Sequence, residues 1–508
     1  SSLNLTYSTS SLINESFQHP LRAFFIGNFN VYLDMNYYTN IIFMLLYISI
    51  STSQIIEEQS LFDENGNEVD IFAYQIPENY NPNNQHPLLI AFHQWGGNQM
   101  STFSTEFDEE ANARNWIFMS PFGGSPNNYN HQDAQEWVKQ GIQWLEENYN
   151  IDSHRIYMVG GSMGGASGAI YANNHLDPTA PMVAATASAS GILDCERRAI
   201  EMDGNNSMIE WFGGDYDEVP FEYHRNSAVY FADSTQSMHY NLQYTPLYLD
   251  FGEIETHRTH AEDLYNLLFN YNDNMWIDTI PTGTHGYSVI DEIHTCDWFS
   301  QFELQDSPDT INLNLDEPSR AYWVEPLNHV NETEFIRVIS NRFYPEHSDS
   351  LHIINFIEIS NTDSILISEI LDGDFNYLHL LISDPIYDGI IIGFTGDFTA
   401  EVIQASVITE FEIDTIESEL SNGVHWFSFN NLDIDNSVFD YISIDIDYEG
   451  LDVNQDEIWD ILDIVLTINF IMMNIDPTNI QFESADLNND NIVDILDIVM
   501  MVNVIMGQ

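Results

Sequence analysis

The feature that most restricts this chain is Gly160-Gly161-Ser162-Met163-Gly164-Gly165, set between the apolar run Ile156–Val159 and a stretch of small residues with helical spacing. A buried strand that gives way at once to a helix must reverse in a tight turn, and small residues on both sides let the backbones approach. The serine at the apex then stands clear of the sheet, facing the first N–H groups of the helix, where negative charge is favoured. GxSxG alone arises by chance. Placed between strand and helix, it predicts an accessible serine with chemistry to perform.

A serine hydroxyl is a weak nucleophile until a base takes its proton and a carboxylate orients that base. In strand–serine–helix units the partners follow in the order serine, acid, histidine. Gly283-Thr284-His285-Gly286-Tyr287 lies in the loop after the last strand-like run, Met275–Ile277, so His285 is the candidate base. His257, His260 and His294 compete, but they fall in helical stretches. The acid should follow the run Leu247–Phe251, where Asp250, Glu253 and Glu255 are on offer. A loop of the form Gly-x-x-acid turns its fourth position back towards the histidine, which selects Glu255. Two backbone donors must stabilise an oxyanion. One is the N–H of Met163; the other comes from His93-Gln94-Trp95-Gly96-Gly97-Asn98, and Trp95 is the candidate, with Gln94 as the alternative. Trp95 would also wall the acyl pocket.

Around these residues, from about Gln54 to Phe302, apolar runs alternate with helical spacing. A hairpin turning at Asn65-Gly66-Asn67 precedes the strand Pro87–Phe92; Trp116–Met119, Arg155–Val159, Val183–Ala187, Leu247–Phe251 and Met275–Ile277 follow. This predicts an α/β class with a mainly parallel sheet covered by helices on both faces. From Asp306 to Tyr448 helical spacing disappears and short β-branched and aromatic runs alternate with turn residues, which predicts a β-sandwich. Expected units are therefore 54–305, 306–448 and a small all-α module at 449–508, after an upstream extension at 1–53.

Pro87–His93, Tyr149-Asn150-Ile151-Asp152 and Arg155–Gly165 together resemble the secreted esterase group of α/β-hydrolases. That group holds polyhydroxybutyrate-depolymerase-like, feruloyl and acetyl xylan esterases, and grades into prolyl-oligopeptidase-type peptidases; the Ser-Met-Gly-Gly and Gly-Glu-x-acid segments also resemble cutinase-like polyester hydrolases. The resemblance implies an α/β-hydrolase domain and hydrolysis of a carboxylic ester through an acyl-enzyme, on a polysaccharide or a polyester, with no cofactor for catalysis. A proline-specific peptidase is the alternative, although the residues before Pro87 are too few for the propeller those enzymes carry. A third reading is an inactive binding or scaffold module, against which the intact serine–acid–histidine order argues. The chain departs from the group at Gln94, where glycine is usual, and at Glu255, where aspartate is usual and the backbone must sit back by one methylene.

The C-terminal residues carry a repeat. Asp452, Asn454, Asp456, Ile458, Asp460 and Asp463 recur 34 positions later as Asp486, Asn488, Asp490, Ile492, Asp494 and Asp497. Oxygen side chains at loop positions 1, 3, 5, 9 and 12, with a backbone carbonyl at 7, match a Ca²⁺ loop. Each loop runs into an apolar helix pattern, and the pair is similar to a type I dockerin. The resemblance implies two structural calcium ions and a cohesin-type partner. Glu457 and Asn491 stand where glycine is usual, and Glu457 adopts a left-handed conformation only at a cost, so the first loop should bind more weakly.

Charge decides little more. Eighty Asp plus Glu against eleven Lys plus Arg, net −69, exclude nucleic acid as a partner. Lys139 is the only lysine in a chain rich in asparagine. We read some Asn and Ser positions as Lys or Arg codons translated in an unsuitable genetic code; peptide masses from natural material should then show Lys or Arg there. Cys195 and Cys296 suit either one bridge or two buried thiols. Ile41–Ile50 is too short to span a bilayer, which needs about 20 residues. With Ser51-Thr52-Ser53 behind it, this run reads as a signal peptide beginning at Met35. A secreted protein is expected.

Overall fold

The computed structural model describes residues 55–508 apart from 204–205, 256, 306–307, 344–352, 368–377, 383–388, 396–403, 409–412, 418, 423, 431–440, 446–452, 455–460, 473–474, 476, 488–491 and 507–508. The expected signal segment lies outside the described residues.

Eight strands form one sheet: β1 (Ile56–Phe62), β2 (Glu68–Gln75), β3 (His86–Phe92), β4 (Ile117–Pro121), β5 (Ile151–Gly161), β6 (Ala185–Ala189), β7 (Leu247–Gly252) and β8 (Met275–Ile280). Their order is β1-β2-β4-β3-β5-β6-β7-β8. The β1–β2 and β2–β4 pairs are antiparallel, and β3 to β8 pair in parallel. The apolar runs are continuous because both faces are covered. Leu88 and Ile90 of β3, with Ile156 and Met158 of β5, pack into one core, and Leu89, Ala91, Tyr157 and Val159 into the other. The first core is capped by α2 (Gln132–Asn148), α3 (Gly164–Asn174) and α7 (Arg258–Leu268); the second by α1 (Phe107–Ala113) and α8 (Glu292–Phe299). This is the α/β-hydrolase arrangement. Between β6 and β7 lie three short helices, α4 (Cys195–Glu201), α5 (Ile209–Phe212) and α6 (Pro220–Arg225), which the sequence reading did not foresee. Helices of four to seven residues are too short to display a period. Both cysteines are free and buried.

Past Thr310 the described strands form sheets of five, four and three strands. Most pairs are antiparallel, but Ile353–Ser360 pairs in parallel with Leu378–Ile382, and Ser364–Ile367 with Gly389–Thr395. The first strand of this region, Thr310–Leu315, is tied to the preceding one. The Asn241 amide donates to Asn314 O (2.8 Å) and accepts from Asn314 N (3.1 Å), both side chains being buried. Nearby, Arg225 pairs with Asp316 at 2.8 Å, and Tyr322 N donates to Leu176 O.

At the C-terminus, helices Ile461–Ile471, Asn479–Ala485 and Ile495–Met506 share a small core of Ile464, Phe470, Ala485, Ile498 and Met501 with Val453 and Leu487. Among the described residues no helix is long and apolar enough to cross a membrane.

Candidate active site

Ser162 occupies the turn between β5 and α3 at φ +58°, a left-handed conformation that a side-chain-bearing residue rarely adopts. The turn is held by its own backbone: Ser162 N donates to Ala189 O (2.9 Å), while Ser162 O accepts from Ile192 N (3.1 Å) and Gly165 N (3.0 Å). A Cβ on Gly160 would lie 1.9 Å from Gly164 O, and one on Gly164 would lie 2.6 Å from His93 O. The flanking glycines are therefore a steric requirement of the reversal.

The three residues singled out by spacing come together. Ser162 Oγ lies 2.7 Å from His285 Nε2, and His285 Nδ1 lies 2.7 Å from Glu255 Oε2. A carboxylate only accepts, so Nδ1 carries the hydrogen and Nε2 is left to accept from the serine hydroxyl. The Glu255 side chain is 3% exposed and His285 38%. The other Glu255 oxygen, Oε1, accepts from Gly252 N at 3.1 Å, which closes the Gly-x-x-acid loop on itself. The base is tied down by Ser288, whose Oγ donates to His285 O (2.8 Å) and accepts from His285 N (3.4 Å). Sequence reasoning passed over Ser288; its one signal was a hydroxyl three residues past the histidine.

The competitors lie elsewhere. Glu253 is exposed. Asp250 is buried at 2% exposure, and that burial pushes its carboxyl up to about 7, with Tyr248, Asp278 and Trp276 as its neighbours. His294 bonds to the Tyr248 hydroxyl at 2.9 Å. The His257 ring centre is 5.3 Å from that of His285, but its Nδ1 faces Glu201 at 3.3 Å; burial, then the Arg198 charge, brings it down to about 4. Glu201, His257 and His260 bring one ligand atom each within 4.8 Å of the others, a spacing a metal ion could use. His260 Nδ1, however, accepts from Leu193 N (3.1 Å) and Asp194 N (3.3 Å), so its Nε2 carries the hydrogen and cannot ligate.

Met163 is the N-cap of α3, where Gly165 N donates to Ser162 O (3.0 Å) and Ala166 N to Met163 O (3.2 Å), and the first N–H groups of a helix have no partner one turn back. In the facing loop, Gly96 N donates to Pro126 O (2.7 Å) and Gly97 N to Gln94 O (2.9 Å), which takes both away from the site. Gln94 and Trp95 remain the candidate donors. Trp95 is 58% exposed, and its indole N–H reaches Ser207 Oγ across the cleft at 3.4 Å.

In the C-terminal repeat, Asp452, Asp456, Ile458 and Asp460, together with Asn488 and Asp490, lie outside the described residues; Asn454, Asp463, Asp486, Ile492, Asp494 and Asp497 lie within them. The last acid of each loop is fully buried. Asp463 Oδ1 accepts from Asn454 N (3.0 Å) and Asp497 Oδ1 from Leu487 N (2.9 Å), so each last acid reaches a backbone N–H near the start of its own loop. Asp497 Oδ2 also accepts from Asp494 N (2.7 Å). Carboxylates withdrawn from water at the mouth of an oxygen-rich loop suit a hard divalent cation. Residues 451–506 match the family of the dockerin type I domain. The C-terminal module is a type I dockerin domain. The bifunctional acetylxylan esterase/xylanase of Neocallimastix patriciarum is 31% identical over 134 residues, 25% of this chain and 19% of that protein, so the chain spans about a fifth of that relative's length. Among solved structures, S-formylglutathione hydrolase from Staphylococcus aureus is 12% identical, over 49% of this chain and 99% of that one, with TM-score 0.38. A ferulic acid esterase is 16% identical over 49% and 96% (TM-score 0.36), and a hyperthermophilic esterase from Pyrobaculum calidifontis 16% over 57% and 96% (TM-score 0.35).

Proposed function

We propose that this chain is a secreted serine carboxylic-ester hydrolase that docks through its C-terminal domain. The observation that carries the reading is the continuous chain Ser162–His285–Glu255, with two contacts of 2.7 Å, on a turn whose strained backbone presents the serine. His285 Nε2 takes the Ser162 proton as Oγ attacks the ester carbonyl; the N–H groups of Met163 and Trp95 receive the oxyanion. Collapse of the tetrahedral intermediate breaks the bond to the alcohol oxygen, which leaves with the proton from His285. Water, deprotonated by the same imidazole, then attacks the acyl-enzyme and releases the acid and free Ser162. Glu255 keeps the imidazole in the required tautomer and stabilises the imidazolium. None of these steps needs a cofactor.

The substrate we favour is an ester carried by a plant or algal polysaccharide, feruloyl or acetyl. The named activity of the Neocallimastix relative and the dockerin domain, which implies a cohesin partner, both support this over a polyester. In the dockerin, two calcium ions would be held by the repeated acids and would supply countercharge. We take 54–305, 306–448 and 449–508 as the working units. Purified chain should hydrolyse p-nitrophenyl acetate and feruloyl esters and leave a proline-anilide intact. Cleavage of the anilide instead would favour a peptidase, and inertness towards all three a scaffold.

The acid is tested separately. Glu255→Gln is expected to lower turnover by about 10²-fold or more, because the amide holds the wrong tautomer, while Glu253→Gln and Asp250→Asn stay within about tenfold of the parent. Steady-state kinetics on p-nitrophenyl acetate would show it. Greater damage from Glu253→Gln would place the acid two residues earlier.

A further inference from the structure

His93 directly follows β3 and begins the loop that carries Gln94 and Trp95, and it is 3% exposed. Both of its ring nitrogens are engaged. Nδ1 lies 2.8 Å from Gln94 O, and Nε2 lies 2.9 Å from Phe122 O. Both partners are peptide carbonyls, which can only accept, and a neutral imidazole has a single N–H to give. The two bonds therefore exist together only if the ring carries both hydrogens. The surroundings suit a cation. Asp70 of β2, 4% exposed, accepts from Gly123 N (3.0 Å) and Gly124 N (2.8 Å), the residues directly after Phe122. Burial pushes the Asp70 carboxyl up; the Gly124, Ile71 and Gly123 N–H groups and the adjacent His93 push it back. The other titratable groups on this side are Tyr287, whose hydroxyl donates to Phe92 O at 2.7 Å, and Glu292, which shares with His93 the lining of a groove beside the loop.

We propose that His93 is a positioning residue, held as a buried imidazolium, that aims the Trp95 N–H at the reacting oxygen. The link is the planarity of one peptide group. Gln94 O and Trp95 N–H belong to the same plane and point in opposite directions. Fixing the oxygen between His93 Nδ1 and Gly97 N (2.9 Å) therefore fixes the direction of the N–H. A cationic donor on the carbonyl also polarises the amide and strengthens its N–H as a donor. The bond to Phe122 anchors the ring to a segment 29 residues away, so the loop does not drift with its own flexibility.

The inference rests on the esterase reading, and its test is separable from it. The full chain, labelled with ¹⁵N-histidine, is examined by ring-nitrogen NMR at the pH of fastest ester hydrolysis, with His93 assigned by difference from His93→Gln or His93→Asn, whichever folds. Both His93 nitrogens should show bonded hydrogen. A hydrogen-free nitrogen on that ring in an active wild-type enzyme overturns the proposal. In kinetics on p-nitrophenyl acetate, His93→Gln should lower kcat by about 10- to 100-fold, somewhat less than complete removal of an oxyanion donor, with KM within about twofold. An unchanged kcat also overturns it. If the esterase reading itself is wrong, the wild type hydrolyses no ester while the ring still shows two hydrogens.

Discussion

Replacing Ser162 by alanine is expected to lower ester hydrolysis by about 10⁴-fold or more, with the fold and the C-terminal domain untouched. The magnitude follows from the role. Without Oγ there is no atom to form the acyl-enzyme, and the remaining donors can only bind and polarise the substrate. The turn should survive because backbone bonds, not the serine side chain, hold it: Ala189 O, Ile192 N and Gly165 N engage the Ser162 peptide groups. Steady-state kinetics on p-nitrophenyl acetate, beside circular dichroism of both proteins, make the comparison. Activity above a tenth of the parent value would remove Ser162 from the mechanism.

Chelation should have the opposite distribution of effects. The dockerin has about the size at which a hydrophobic core alone supplies little stability, and its loops gather eight aspartates in a stretch, 449–508, that contains no Lys or Arg. Two of these carboxylates, Asp463 and Asp497, are fully buried. Without countercharge they repel and are poorly solvated, so metal binding becomes folding free energy. EDTA is expected to open the chain after about Leu451, visible as new proteolysis there and lost helical circular dichroism. Hydrolysis of a small soluble ester should continue almost unchanged. A C-terminal segment that stays protected, or an esterase that dies while that segment remains folded, would sink the idea.

What could be read from the sequence follows from how far each interaction reaches along the chain. Ser162 was legible because strand, turn and helix are contiguous, and the Glu255 loop because its closing bond spans three residues. His285 needed only the strand order. The double engagement of His93 was not legible, since its second carbonyl comes from a separate strand end. In the region after Asp306 alternation marked the strands well, as at Ile353–Ser360 and Val424–Asn430, but a period of two says nothing of which strand lies beside which. Two of the pairs there are parallel, which the pattern did not announce. Helices α4–α6 escaped for want of length, and with them Ser207, in the connection between α4 and α5, which meets Trp95.

The joint between Asn241 and Asn314 has a mechanical meaning. A domain anchored through its C-terminus feels every tug on that anchor, and load travels along the backbone until hydrogen bonds take it up. Here tension entering from residue 323 backwards meets the Tyr322–Leu176 bond, then the Arg225–Asp316 pair, then the bonds of the Asn241 side chain to the Asn314 backbone, before it can reach helix α8 or the His285 loop. The strand Thr310–Leu315 thus acts as a strain relief.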